Sequence, residues 1–140
     1  MLLFALAFSD PRPLPRVLIV EDHADTRQMY AEFLRLSFEV LEARTGDEAM
    51  SLVEQEKPDV IVTDVSLPGM SGLEFATEVR ARPANQRTPI VCVSGYGGDE
   101  FEQQARQAGC NRTLLKPCLP DELARTITEL LSEPGDRSHS

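Results

Sequence analysis

Tryptophan is absent from the 140-residue chain, and histidine and cysteine are scarce, at two and three copies. His23 and His139 stand far apart, and Cys92, Cys110 and Cys118 show no C-x-x-C spacing, so no zinc ligand set can be read from neighbours in sequence. An odd number of cysteines without a disulfide framework is expected to stay as free structural thiols in a reducing cytosol, which makes a cytoplasmic location the expectation. Positive charge is also in short supply: 14 Lys+Arg face 23 Asp+Glu, for a formal charge of −9. Sequence-independent binding of nucleic acid needs a basic footprint, so no nucleic-acid partner is expected. No apolar run approaches the roughly 20 residues that a bilayer span needs, so no membrane span is expected either.

The longest apolar stretch, Met1 to Phe8, stops at Ser9-Asp10, and no positive charge precedes Leu2. Pro11-Arg12-Pro13-Leu14-Pro15 then reads as a stiff extended linker. Residues 1–15 are therefore expected to form an arm that docks on the domain or on a neighbour, with a weak secretory signal as the alternative. Residues 16–132 form one domain, and 133–140, polar and carrying Pro134-Gly135, form a frayed tail. Monomer and weak dimer both remain open.

Between the ends, short apolar runs alternate with helical patterns. Val17–Val20 is β-branched and apolar throughout, as suits a strand buried on both faces. A helix follows, with Met29, Phe33 and Leu36 on one face and Tyr30 and Leu34 beside them. Glu39–Ala43 alternates as an edge strand, and Thr45 three before Glu48 forms a capping box that opens a helix to about Glu54. Lys57-Pro58 stops it before the buried strand Val60–Val62. Ser71 and Glu74 repeat the box ahead of a third helix, and Pro89 leads into Ile90–Val93. Asp99 and Glu102 have the cap spacing for a fourth helix ending near Gly109. Thr113–Leu115 is a short fifth strand, and Pro120 opens a fifth helix in a first turn that tolerates proline. Five strands alternating with five helices predict an α/β fold, a doubly wound five-stranded parallel sheet in the flavodoxin-like order 2-1-3-4-5.

Open α/β sheets gather their functional groups at the carboxyl ends of the strands. Glu21 and Asp22 follow the first strand, Asp64 the third, Ser94 the fourth and Lys116 the fifth. In the predicted order these five side chains converge. Three carboxylates in one pocket repel, and a hard divalent cation offsets that; an all-oxygen donor set favours Mg2+. Asp22 and Asp64 are the direct ligands in this reading, Glu21 reaches the metal through water, and a loop carbonyl near Ser66 completes the shell. Lys116 and Ser94 suit an anion arriving beside the metal, so the site is expected to bind magnesium and then gain a phosphoryl group.

With those residues placed, the chain resembles a receiver domain of the two-component response regulators, from about Arg16 to Leu131. The likeness rests on Glu21-Asp22, on Thr63-Asp64-Val65-Ser66-Leu67-Pro68-Gly69-Met70-Ser71-Gly72, on Val93-Ser94-Gly95, and on Leu115-Lys116-Pro117. Each is common alone; four in order, each at a strand end, are a specific signal. The resemblance implies that Asp64 is the phosphoacceptor, taking phosphate from a histidine of a sensor kinase or phosphotransfer protein as a carboxylate nucleophile. It implies that magnesium and Lys116 neutralise charge on the moving group, that Ser94 bonds a phosphoryl oxygen afterwards, and that the Lys116–Pro117 peptide is cis. It also implies a non-enzymatic output: a protein partner bound by the face of helix four, strand five and helix five, or onward transfer to a histidine. The eight residues after the last helix leave no room for an output module, so a stand-alone regulator is expected, with a receiver excised from a larger hybrid kinase as the alternative.

The chain departs from the family at Thr113, where an aromatic residue usually reports phosphorylation; Tyr96, two residues past Ser94, is a possible substitute ring. Ser94 also reads as a plain turn residue at a strand end. Two other functions fit part of the pattern. An aspartate-nucleophile phosphatase shares the metal, carboxylates and lysine but needs a second aspartate where this chain has Ser66. A phosphorylation-independent interaction module keeps the fold without needing the full acidic set.

Overall fold

A computed structural model describes residues 14–133 of the chain. The expectations for the N-terminal arm, the polar tail and His139 therefore fall outside the described residues, except at Leu14, Pro15 and Glu133. Five strands, β1 (Arg16–Val20), β2 (Glu39–Ala43), β3 (Val60–Asp64), β4 (Ile90–Ser94) and β5 (Arg112–Leu115), form one sheet. Its order is β2-β1-β3-β4-β5, and every pairing is parallel. The helices are α1 (Ala24–Leu34), α2 (Gly46–Glu56), α3 (Gly72–Arg80), α4 (Asp99–Ala108) and α5 (Pro120–Leu131), with a 3₁₀ turn at Pro83–Asn85. This is the doubly wound sheet that the sequence predicts.

The central strands carry unbroken apolar runs, Val17–Val20, Val60–Val62 and Ile90–Val93, because they are covered twice. Val17, Ile19, Val60, Val62, Val91 and Val93 face one layer, where Tyr30, Leu34, Leu123, Ile127 and Leu130 of α1 and α5 pack on them. Leu18, Val20, Ile61, Ile90 and Cys92 face the other, against Met50, Val53, Phe75, Val79 and Ala105 of α2, α3 and α4. β2 is an edge strand and is only partly buried along most of its length.

Three local expectations are revised. On α1 the buried face is Tyr30, Ala31 and Leu34, whereas Met29, Phe33 and Leu36 are exposed at 45%, 38% and 79%. The Tyr30–Leu34 spacing of four, with Ala31 between, carries the packing face, and the helix ends before Leu36. The box at α2 is half formed: Thr45 Oγ1 accepts from the Glu48 amide, but the Glu48 carboxylate turns to the Arg44 amide at 2.7 Å. At α3 both halves are present. α4 begins one residue earlier than its cap spacing suggests, because Gly98, at φ 100°, takes the cap position and leaves Asp99 in the first turn. There its carboxylate sits at the positive end of the helix dipole.

The expectation of three free thiols is also corrected. The β4 strand and the loop after α4 bring Cys92 and Cys110 to a Cα–Cα distance of 6.4 Å, within disulfide reach, and their sulfurs are bonded. Only Cys118 is free, and it is buried. The thiol argument for a reducing compartment accordingly loses its support.

Candidate functional site

Parallel register decides which side chains meet. Val20 pairs with Thr63, so Glu21 and Asp64, one step on, leave adjacent strands together. Asp64 pairs with Val93, Ser94 pairs with Leu115, and the Lys116 amide donates to the Ser94 carbonyl at 2.8 Å. Residues up to 95 positions apart are thus delivered to one end of the sheet (Lys116 minus Glu21).

Glu21, Asp22 and Asp64 each offer a carboxylate oxygen, and these oxygens lie within 4.8 Å of one another. Glu21 and Asp64 are buried, at 5% exposure each, and Asp22 is exposed. Burial pushes the Glu21 carboxyl above the usual carboxylate range; the His23 amide, donating to Glu21 Oε2 at 3.0 Å, opposes this, and the Asp64 charge adds to it. Lys116 Nζ lies 3.0 Å from Asp64 Oδ1, and its peptide bond to Pro117 is cis. Three carboxyl groups against one ammonium leave an excess of acid in the pocket, which a divalent cation would offset. The donor atoms are all hard oxygens, so the residues present fit Mg2+.

The remaining predicted residues flank this centre. The Ser66 amide donates to Asp64 Oδ1 at 3.3 Å, which places Ser66 on the loop that carries the Asp64 carboxylate. Ser94 is buried at the end of β4, and its Oγ accepts from the Tyr96 amide at 2.8 Å. Tyr96 itself is 64% exposed, its ring 6.3 Å from that of Phe101, while Thr113 is half-buried on β5 opposite Cys92. Beside Asp22 an open pocket of about 460 Å³ is lined by Arg44, Thr45, Glu48 and Pro68.

Two residues hold the site through contacts that the sequence does not foretell. A Cβ on Gly72 would stand 2.1 Å from the Asp64 carbonyl oxygen and 2.8 Å from Val65 Cα, so α3 presses its first residue directly on the backbone of the acidic loop. The Gly72 amide also donates to the Val65 carbonyl at 2.9 Å. Tyr30, on α1, donates its hydroxyl to the Cys118 carbonyl at 2.7 Å and so ties down the loop that follows Lys116-Pro117. The partners are 88 positions apart, so the periodicity that places Tyr30 on its helix gives no sign of this bond.

A family model for the response regulator receiver domain matches residues 17–128. The chain belongs to this family. Among curated receivers it is similar to the polar-differentiation response regulator DivK of Brucella anthropi, 29% identical over 118 residues, covering 84% of this chain and 96% of that one. It is also similar to the phosphate regulon transcriptional regulatory protein PhoB of Pseudomonas aeruginosa, 32% identical over 123 residues, where it spans only 54% of the longer protein. Among solved structures, the chemotaxis response regulator CheY4 of Vibrio cholerae superposes with a TM-score of 0.80 at 32% identity, covering 84% of this chain and 98% of that one. Receivers are signalling domains of two-component systems. Among the described residues of this one, no helix is long and apolar enough to cross a membrane.

Proposed function

We propose that this receiver accepts a phosphoryl group on Asp64 from a phosphohistidine of a sensor kinase or phosphotransfer protein, with Mg2+, and signals through phosphorylation-dependent protein contact or onward transfer. The observation that carries this reading is the Lys116 ammonium, 3.0 Å from a buried carboxylate that shares its pocket with two more. An ordinary structural ion pair needs neither extra acid. Asp22, Asp64, Glu21 through water and the Ser66 carbonyl would hold Mg2+, which supplies neutralising charge beside the incoming phosphoryl oxygens.

The chain's own groups do the rest. An Asp64 carboxylate oxygen attacks phosphorus, the P–N bond breaks, and the donor imidazole leaves and takes a proton from solvent. Lys116 offsets the charge that moves onto the phosphoryl oxygens. Ser94 Oγ uses its lone pair on the Tyr96 amide, which leaves its hydroxyl proton to bond a phosphoryl oxygen. Such a bond pulls on the loop that carries Tyr96, and Tyr96 is the ring nearest to the function that Thr113 cannot perform. Tyr96, Leu115 and Leu119 are exposed apolar side chains around α4, β5 and α5, which suits that face for a protein partner. The protein turns over no separate substrate in this reading; it catalyses only its own aspartyl phosphorylation and dephosphorylation, as a signalling module.

Incubation with Mg2+ and acetyl phosphate, followed by intact mass, tests the assignment. One phosphoryl adduct on wild type, absent from Asp64→Asn, is the expected result. No adduct together with no Mg2+ binding would falsify the phosphoacceptor assignment.

A further inference from the structure

Arg27 lies outside the acidic cluster, yet its side chain is only 15% exposed and its guanidinium is bonded on two sides. Its Nη1 donates to the Glu21 carbonyl at 2.8 Å, and its Nε donates to Glu42 Oε1 on β2 at 3.1 Å. The other Glu42 oxygen accepts from Arg35 Nη2 at 2.9 Å. The hydrogen bonds from these two arginines, Arg35 first, hold the Glu42 carboxyl below the usual range, so the anchor is an ionised group at neutral pH.

The Glu21 carbonyl is one half of the peptide plane whose other half is the Asp22 amide. Fixing that oxygen fixes the plane that enters Asp22; with the following peptide also held, the direction in which the Asp22 side chain leaves the backbone is set. The turn has two further ties: the Glu21 amide continues the ladder to the Ala43 carbonyl at 3.0 Å, and the His23 amide, on the peptide that leaves Asp22, donates to the Glu21 carboxylate at 3.0 Å. Among these ties, only Arg27 holds the Glu21–Asp22 plane, through its carbonyl.

We infer that Arg27 is a positioning residue for the metal site, holding the Glu21–Asp22 peptide so that the exposed Asp22 carboxylate stays aimed at Asp64. The inference rests on the Mg2+ reading above. Charge and geometry make opposite forecasts, which makes it testable. As a charge, Arg27 repels a cation, so its removal alone strengthens Mg2+ binding. As a positioning group, its removal weakens binding, and losses of about 10- to 100-fold are usual when a group that orients a metal ligand is removed.

The experiment is calorimetric titration of the metal-free protein with Mg2+, alongside its thermal midpoint without metal, for wild type, Arg27→Ala and Arg27→Lys. The lysine variant keeps the charge and the bulk but cannot span the Glu21 carbonyl and Glu42 together. Weakening of Mg2+ binding by about 10-fold or more in Arg27→Ala, and by at least about threefold in Arg27→Lys, is expected. If Arg27→Ala does not fold, Arg27→Lys decides alone. An unchanged or tighter dissociation constant, even with a lowered midpoint, shows a merely structural role and overturns the inference while leaving the Mg2+ reading intact. Wild type that binds no Mg2+ overturns both.

Discussion

Replacing Gly72 by alanine adds one methyl group where the backbone of the Asp64–Val65 loop already stands. The new Cβ would lie 2.1 Å from the Asp64 carbonyl oxygen, and ordinary contact begins at 3.4 Å, so about 1.3 Å of movement is demanded. The obstructing atoms are backbone, at Asp64 O, Asp64 C and Val65 Cα, and no side-chain rotation can relieve them. Overpacking of a close-packed interior costs roughly 1–3 kcal/mol, and the rigidity of these neighbours places Gly72→Ala at or above about 3 kcal/mol. For a domain of this size, each kcal/mol moves the midpoint by roughly 3–5 °C, so a fall of about 10–15 °C is expected. Thermal and urea unfolding measure it, with Gly95→Ala as the control: a Cβ there meets nothing within 4 Å and should cost no more than about 0.5 kcal/mol. Because relief requires the Asp64 backbone to shift, Gly72→Ala should also accept phosphate from acetyl phosphate more slowly at a temperature where it is still folded. A Gly72→Ala midpoint equal to that of Gly95→Ala would refute the argument that α3 and the acidic loop are in unyielding contact.

Adding Mg2+ should raise the wild-type thermal midpoint through preferential binding to the folded state, by about 2.7 kcal/mol of stability at 100 times the dissociation constant, and the shift should vanish in an Asp22→Ala, Asp64→Asn double variant; an equal shift in that variant would place the ion elsewhere. Tyr30→Phe removes the hydroxyl that donates to the Cys118 carbonyl at 2.7 Å and should cost about 1–2 kcal/mol in urea unfolding, with no loss meaning that the loop carries its own support. Burial, assisted by the Glu122 carboxylate, pushes the Cys118 thiol up to about 11 from its ordinary 9.0. Between those values the unfolded chain releases the proton and the folded one keeps it, so this contribution is complete below about pH 9 and is lost as pH rises through 11, at up to roughly 1.4 kcal/mol per pH unit. Cys118→Ala should flatten that alkaline decline relative to wild type; parallel curves would contradict the buried-thiol account.

The sheet was legible because parallel strands covered on both faces leave unbroken β-branched runs, as at Val60–Val62 and Ile90–Val93, separated by caps and prolines that fix the phase. The acidic pocket was legible for a related reason: in this topology the residue after each run is the residue at the crevice, so Glu21, Asp22, Asp64, Ser94 and Lys116 could be picked without knowing a distance. The buried face of α1 was not legible, because Met29–Phe33–Leu36 and Tyr30–Leu34–Phe38 are both apolar stripes at helical spacing. Only the packing of α5 and the sheet against the helix selects the second. The Cys92–Cys110 bond was missed because a separation of 18 with no motif says nothing until β4 and the loop after α4 are placed together.

What the sequence determined by itself is therefore what periodicity and punctuation encode: the order of strands and helices, and which polar groups stand at the strand ends. What only the tertiary structure decided is everything that depends on two distant segments meeting. The 4.8 Å spread of the carboxylate oxygens and the Lys116–Asp64 pair follow from strand register. The pressure of Gly72 on the Asp64 carbonyl and the grip of Arg27 on the Glu21 carbonyl follow from how α3 and α1 settle on the sheet. Register and helix docking are set by the sum of many weak apolar contacts across the whole core, and no local pattern of residues contains that sum.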